Sequence, residues 1–286
     1  MSEGSLRDIA YASVSDAQKL DLYLPRDAAG PVPLIVDIHG GAFFMGDKTM
    51  DAEEIAALVD AGYAVASLDY RLSGEARFPA AVQDVKAAVR FLRANAARFG
   101  VDPGRFGAFG PSAGGYLVCM LGVTASTTAF DDPALGHPDE SSAVQAVASW
   151  FAPIDFLTMD DQHRANPVCR TRLRSHDAPD SPESRLMGAP IQTIPDAVRA
   201  ASPLAHLDAA QDLPPFHLAA GDQDCSVPGE QTAQLAAALA ERGATVTHRV
   251  VRGAGHGRGF PAAQEMPHVV DFFDRTLTSR RSRHPR

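Results

Sequence analysis

Cysteine is scarce in this sequence: Cys119, Cys169 and Cys225 are all it has in 286 residues. The count is odd and no pair has C-x-x-C spacing, so the pattern implies neither a disulfide framework nor a zinc site. The thiols are expected to be reduced. Long apolar runs are missing too. No stretch approaches the ~20 apolar residues that a membrane-crossing helix needs, and Met1 to Asp8 carry no apolar segment of the kind a secretory signal uses. Excess positive charge is also absent: 26 Lys and Arg stand against 35 Asp and Glu, a formal charge of −9. A field of that sign does not draw a chain to nucleic acid or to an anionic membrane surface. The expectation is a soluble, cytoplasmic protein with neither as a partner. The locally basic run Arg280 to Arg286 reads as a frayed, solvated terminus.

What the sequence has is an alternation of apolar strands and amphipathic helices. With 45% hydrophobic residues, the chain is long enough for one well-filled α/β domain over residues 1–286. Ile9 to Val14 and Leu20 to Leu24 alternate apolar and polar, as a half-buried antiparallel pair at a sheet edge does. Leu34 to Ile38 is a β-branched run that fits a buried central strand. Tyr63 to Leu68, Arg105 to Phe109, Val144 to Phe151, Phe216 to Ala220 and Val246 to Val251 follow as strands. Helices are expected at Asp51 to Ala61, from Pro79 toward Gly100, and at Ala113 to Leu121, Glu230 to Glu241 and Pro267 to Leu277. In the second of these, Val82, Val85, Val89 and Leu92 make one apolar stripe. The order predicts a mostly parallel, twisted sheet of about eight strands with helices on both faces. Ligands of such sheets bind beyond the carboxyl ends of the strands, which puts the loops at Gly40, Ser112, Asp224 and His256 on one rim. Residues 153–214 lack clear periodicity, and a segment that long is expected to be functional, a lid or cap.

Gly110-Pro111-Ser112-Ala113-Gly114 is a G-x-S-x-G run between a strand and a helix. A serine on that sharp turn needs small neighbours, and the helix opening at Ala113 points free N–H groups at it. A hydroxyl is a poor nucleophile without a base, and the base needs a carboxylate to orient it. Both follow in the order Ser, Asp, His: Asp222 and Asp224 come after one apolar strand, and Gly255-His256-Gly257 after the next. His39-Gly40-Gly41-Ala42 ends the central strand. Its backbone N–H groups at Gly41 and Ala42, with that of Ala113, are the candidate donors for an oxyanion.

These motifs resemble the esterase and lipase branch of the α/β hydrolases. The resemblance is nearest to compact bacterial carboxylesterases similar to feruloyl and acetylxylan esterases, near the hormone-sensitive-lipase group. It runs through Leu20 to Pro25, His39 to Phe43, Gly46-Asp47-Lys48, Asp69 to Leu72, Phe78 to Ala81 with Asp84, and Gly110 to Gly115. It ends in Ser202-Pro203, Asp224 to Pro228 and Gly255 to Gly257. It implies the α/β-hydrolase fold, with Ser112 as nucleophile, His256 as base and Asp224, which precedes Val-Pro by the family's spacing, as the acid. Asp222 is then a supporting or capping residue. The implied reaction is two-step hydrolysis of a small-molecule ester with short-chain or aryl acyl groups, with no metal or organic cofactor. The alternative is C–N hydrolysis of the arylformamidase type; a small peptidase or a non-catalytic hydrolase-fold binder is more remote. Homodimers are common in such esterases.

Two departures stand out. Pro111 replaces the polar, acidic or aromatic residue usual before the serine, and few residues precede His39, which leaves residues 153–214 to cover the pocket. Phe43, Phe44, Phe156 and Met159 could line that pocket or simply pack in the core. Asp69, Arg71 and Asp84 read as a structural polar network, and Cys225 as a packed thiol.

Overall fold

A computed structural model describes residues 5–26, 30–169 and 175–278. The basic run from Arg280 and part of the 153–214 segment lie outside them. Eight strands form one open sheet: β1 (Ser5–Ala10), β2 (Lys19–Tyr23), β3 (Val32–Ile38), β4 (Ala64–Leu68), β5 (Val101–Pro111), β6 (Ala146–Trp150), β7 (Phe216–Gly221) and β8 (Val246–Val251). Their spatial order is β1-β2-β4-β3-β5-β6-β7-β8. The β1–β2 and β2–β4 pairs are antiparallel and the remaining pairs are parallel. This is the doubly wound sheet expected from the alternation.

The sheet is buried on both faces because its central strands carry apolar side chains at successive positions. On β3, Leu34, Val36 and Ile38 enter one core and Ile35 enters the other. Helices α1 (Ala52–Asp60), α2 (Ala80–Ala94), α3 (Ala96–Phe99) and α4 (Ala113–Val123) follow the first strands. The first core takes Val82, Val85, Val89 and Leu92, the predicted stripe of α2, together with α4. The second core takes Ile55 and Leu58 of α1.

Of the boundaries that differ from the sequence expectation, three bear on how the chain packs. The first strand starts earlier because residues 11–18 close the hairpin instead: the Gln18 side chain accepts from the N–H groups of Val14 and Ser15, and Tyr11 N–H donates to the Gln18 carbonyl. The helix after Pro79 ends at Ala94 and resumes as the short α3 before Gly100. The last helix begins five residues ahead of Pro267. Proline is favoured in a first turn, but here it sits inside a helix, where Met266, Val269, Phe272 and Phe273 anchor the chain in the second core.

Between β6 and β7, the chain folds into short helices: α5 (Met159–Ala165), α6 (Pro182–Met187) and α7 (Pro195–Ala200). Phe156, Met159, Leu186, Ile191 and Val198 from this connection are buried in the first core. Its periodicity is hidden because each helix is only six or seven residues long. Helices α8 (Glu230–Glu241) and α9 (Ala262–Phe273) close the chain around β8. Among the described residues no helix is long and apolar enough to cross a membrane.

Candidate active site

The four loops expected on one rim do meet there. Ser112 sits between β5 and α4 with φ 56° and ψ −120°, a backbone conformation rarely adopted by a residue with a side chain. Such strain costs on the order of 1–3 kcal/mol and persists only where the surroundings over-determine it. Here they do: Ser112 N–H donates to the Trp150 carbonyl at 2.8 Å. A Cβ at Gly114 would stand 1.7 Å from the Ile38 carbonyl oxygen, so only glycine lets α4 approach β3. Pro111 is tolerated because it pairs with Trp150 at the last position of the β5–β6 ladder, beyond which Ser112 supplies the donor.

Ser112 Oγ lies 2.9 Å from His256 Nε2, and His256 Nδ1 lies 2.7 Å from Asp224 Oδ2. Asp224 is 1% exposed, and its other carboxyl oxygen accepts from the N–H groups of Ser226 and Val227 at 2.8 and 2.9 Å. Those bonds fix the carboxylate so that one oxygen is left for the imidazole. Asp222 is elsewhere: its carboxyl accepts from Gly253 N–H at 2.7 Å and so braces the turn that carries His256. Phe151 packs edge-on against the His256 ring at 4.6 Å. A serine hydroxyl bonded to an imidazole held in this way can pass its proton to the ring.

The loop after β3 doubles back tightly. Gly41, Ala42 and Phe43 have φ of 111°, 54° and 66°, and Met45 N–H donates to the Gly41 carbonyl. The N–H groups of Gly41, Ala42 and Ala113 have no acceptor among the described residues. His39 does not reach the site. It stacks on Tyr70 at 4.4 Å, and burial pushes its pKa down.

A cleft of about 860 Å³ opens over Ser112 and His256 and is lined by Gly41, Ala42, Ala113, Trp150, Phe151 and Phe260 among others. Of the four candidate pocket side chains, Phe43 lines it. Phe156 and Met159 do not; they pack behind Phe43 in the core, with Phe156 tilted against Tyr116 and Phe43. Phe44 lies under the Arg185 guanidinium instead. Their spacing in the sequence could not separate the core from the pocket. Sequence reasoning also missed the polar lining: Asp51, Glu54, His176, Glu183 and Ser226. Burial, and then the nearby Glu54 carboxylate, push the Asp51 carboxyl up to about 7. The Asp69, Arg71 and Asp84 network is structural as expected. The Arg71 guanidinium grips Asp84, Gln18 donates to the same carboxylate, and Asp69 accepts from Lys48 N–H.

The expectation of three reduced thiols is overturned. Cys169 and Cys225 form a disulfide across a sequence separation of 56. Spacing alone could not reveal it, because the fold brings the end of α5's loop beside the Asp224 loop. Disulfides persist in oxidising surroundings, so the argument from reduced thiols to the cytoplasm no longer holds. Cys225 is therefore a cross-link beside the acid and not a packed thiol. Cys119 is free and buried, and burial pushes its thiol up to about 12. Among the described residues no three His, Cys, Asp or Glu side chains converge so as to hold a metal ion.

Residues 20–239 match the BD-FAE family. The esterase LipC of Mycobacterium tuberculosis is 30% identical over 84% of this chain, which spans 57% of LipC's length. LipQ of the same organism is 29% identical over 87% of this chain and 56% of its own. The chain thus spans little more than half of these curated relatives. Among solved structures, a truncated carbohydrate esterase from gut microbiota is 33% identical, with a TM-score of 0.85 and coverage of 97% of this chain and 99% of that one. A thermophilic esterase from Thermogutta terrifontis is 26% identical, with a TM-score of 0.70 and coverage of 95% and 92%. The chain belongs to the BD-FAE family and has the α/β-hydrolase fold of these esterases.

Proposed function

We propose that this protein hydrolyses carboxylic esters through an acyl-enzyme on Ser112. The observation that carries the reading is the continuous hydrogen-bonded chain from Ser112 Oγ through His256 to Asp224 at the floor of the cleft. Ser112 attacks the ester carbonyl while His256 takes its proton. The tetrahedral oxyanion is held by the N–H groups of Gly41, Ala42 and Ala113, and such preset donors usually supply the largest electrostatic share of catalysis. His256 then gives its proton to the departing alkoxide. In the second half a water, deprotonated by His256, attacks the acyl carbonyl and releases Ser112.

That relatives are named as esterases supports an ester over a formamide as this protein's substrate. The relative named as a carbohydrate esterase extends the reading to esters whose alcohol is a sugar hydroxyl. Initial rates on p-nitrophenyl acetate, butyrate, octanoate and laurate, with Ser112→Ala alongside, test the proposal. Turnover that depends on Ser112 and favours the short chains is expected. No Ser112-dependent turnover on any ester, together with turnover of N-formylkynurenine, would replace it with C–N hydrolysis.

A further inference from the structure

One wall of the cleft comes from the connection between β6 and β7, and it holds a carboxyl group that the proposed reaction does not use. Glu183 is the second residue of α6, is 4% exposed, and lines the same cleft as Ser112. Its Oε2 is buried and has no hydrogen-bond partner among the described residues. A buried polar atom left unpaired costs roughly 1–3 kcal/mol, so its retention asks for an explanation.

The nearby donors are already committed. Ser181 and Ser184 both give their hydroxyl protons to the His176 carbonyl. The two ring nitrogens of His176 are taken by Asp160 at 2.7 Å and by the Ser226 carbonyl at 3.1 Å. Ser226 N–H is spent on Asp224. Burial also pushes the Glu183 carboxyl up from its ordinary range, as expected of an acid held away from water. No group among the described residues satisfies it, and the cleft it lines gives a group from outside the chain access to it.

We propose that Glu183 forms a hydroxyl-selective subsite: its carboxyl takes a hydrogen bond from a hydroxyl on the alcohol part of the substrate, and so selects polyhydroxylated alcohols over plain aryl or alkyl ones. This rests on the esterase reading. The geometry suits it, since the cleft of about 860 Å³ exceeds what an acetyl group needs. A site built to bond a substrate hydroxyl discriminates strongly against analogues that lack one, because the buried partner is then left unpaired.

The test uses two acetates with the same acyl group, a monoacetylated methyl pyranoside and p-nitrophenyl acetate, with the wild type, Glu183→Gln and Glu183→Leu. The readout is the ratio of kcat/KM for the pyranoside ester to that for the aryl ester. Glu183→Leu should lower this ratio about 10- to 100-fold, the loss of one hydrogen bond to a buried carboxyl. Glu183→Gln keeps an acceptor oxygen and should recover most of it. The Tm of Glu183→Leu should stay level or rise, since an unpaired buried carboxyl is removed. An unchanged ratio overturns the subsite, as does a parallel loss on both esters with a lowered Tm, which marks a structural role. Lack of turnover of the pyranoside by the wild type also overturns it. Labelling of Ser112 by a fluorophosphonate separates the two levels. With normal labelling and a flat ratio only the subsite falls; without labelling the esterase reading falls and takes the subsite with it.

Discussion

The Ser112, His256 and Asp224 chain and the β6–β7 connection treat their buried polar groups in opposite ways. Every titratable atom of the Ser112, His256 and Asp224 chain has a partner, and Asp224 accepts three hydrogen bonds. In the β6–β7 connection, Glu183 Oε2 at the cleft and both ring nitrogens of His163 behind it are buried without a partner among the described residues. A fully satisfied chain is preorganised, and its geometry need not change when charge develops. An unsatisfied group weakens the fold and is retained where something else uses it. This contrast supports the two proposed roles, chemistry for the Ser112 chain and choice of substrate for Glu183.

The largest expected effect breaks the satisfied chain. Ser112→Ala should lower kcat by roughly 10⁵-fold, and Asp224→Asn by about 10⁴-fold through the wrong imidazole tautomer, both measured as initial rates on p-nitrophenyl acetate with the folded state checked by circular dichroism. The ordering sharpens the comparison: a loss on Asp224→Asn below about tenfold would mean that orientation of His256 does not depend on the carboxylate.

The same contrast explains what could be read from the sequence. Ser112, His256, Asp224 and the Gly41 loop were legible because their conformations are dictated locally: a sharp turn at φ 56°, and a glycine at 114 that cannot carry a Cβ. The mostly parallel sheet followed from the alternation of strands and helices, since parallel strands need crossover helices. The β6–β7 connection was illegible for a different reason. Its helices are short, and its side chains take their places only from the sheet beneath. Phe156 and Met159 look like pocket residues, but both are buried in the first core and Phe156 packs against Phe43. Glu183 looks like an ordinary first-turn acid of a helix, and no local signal marks it as buried. Cys169 and Cys225 share no motif, and only the fold joins them.

Next in size is the cross-link between the two regions. Cys169→Ser with Cys225→Ser should destabilise the protein by about 2–5 kcal/mol, read from urea melts at matched pH. Since Cys225 adjoins Asp224, activity of the reduced or doubly substituted protein should fall at temperatures well below the global melt. A melt unmoved by reductant would mean that the connection is held by its apolar contacts alone.

The smallest effect concerns His163, whose ring burial pushes its pKa down to about 4. Its ordinary value is 6.5, so the unfolded chain takes up a proton before the folded one does. His163 therefore contributes stability that is present above about 6.5 and is lost as the pH falls toward 4. His217, buried in β7 and also lowered to about 4, acts in the same sense. His163→Leu should flatten part of the loss of Tm between pH 7 and pH 4.5, and a slope equal to that of the wild type would show that the ring gains a partner in solution.

The central claim is that Ser112 becomes acylated. Rapid mixing with p-nitrophenyl acetate, quenching in acid and mass analysis of the Ser112 peptide test it most directly. The account predicts a burst of p-nitrophenol together with an acetyl group on Ser112, and neither in Ser112→Ala. Turnover by Ser112→Ala at the wild-type rate, with no acetyl group on Ser112 in the wild type, would contradict it.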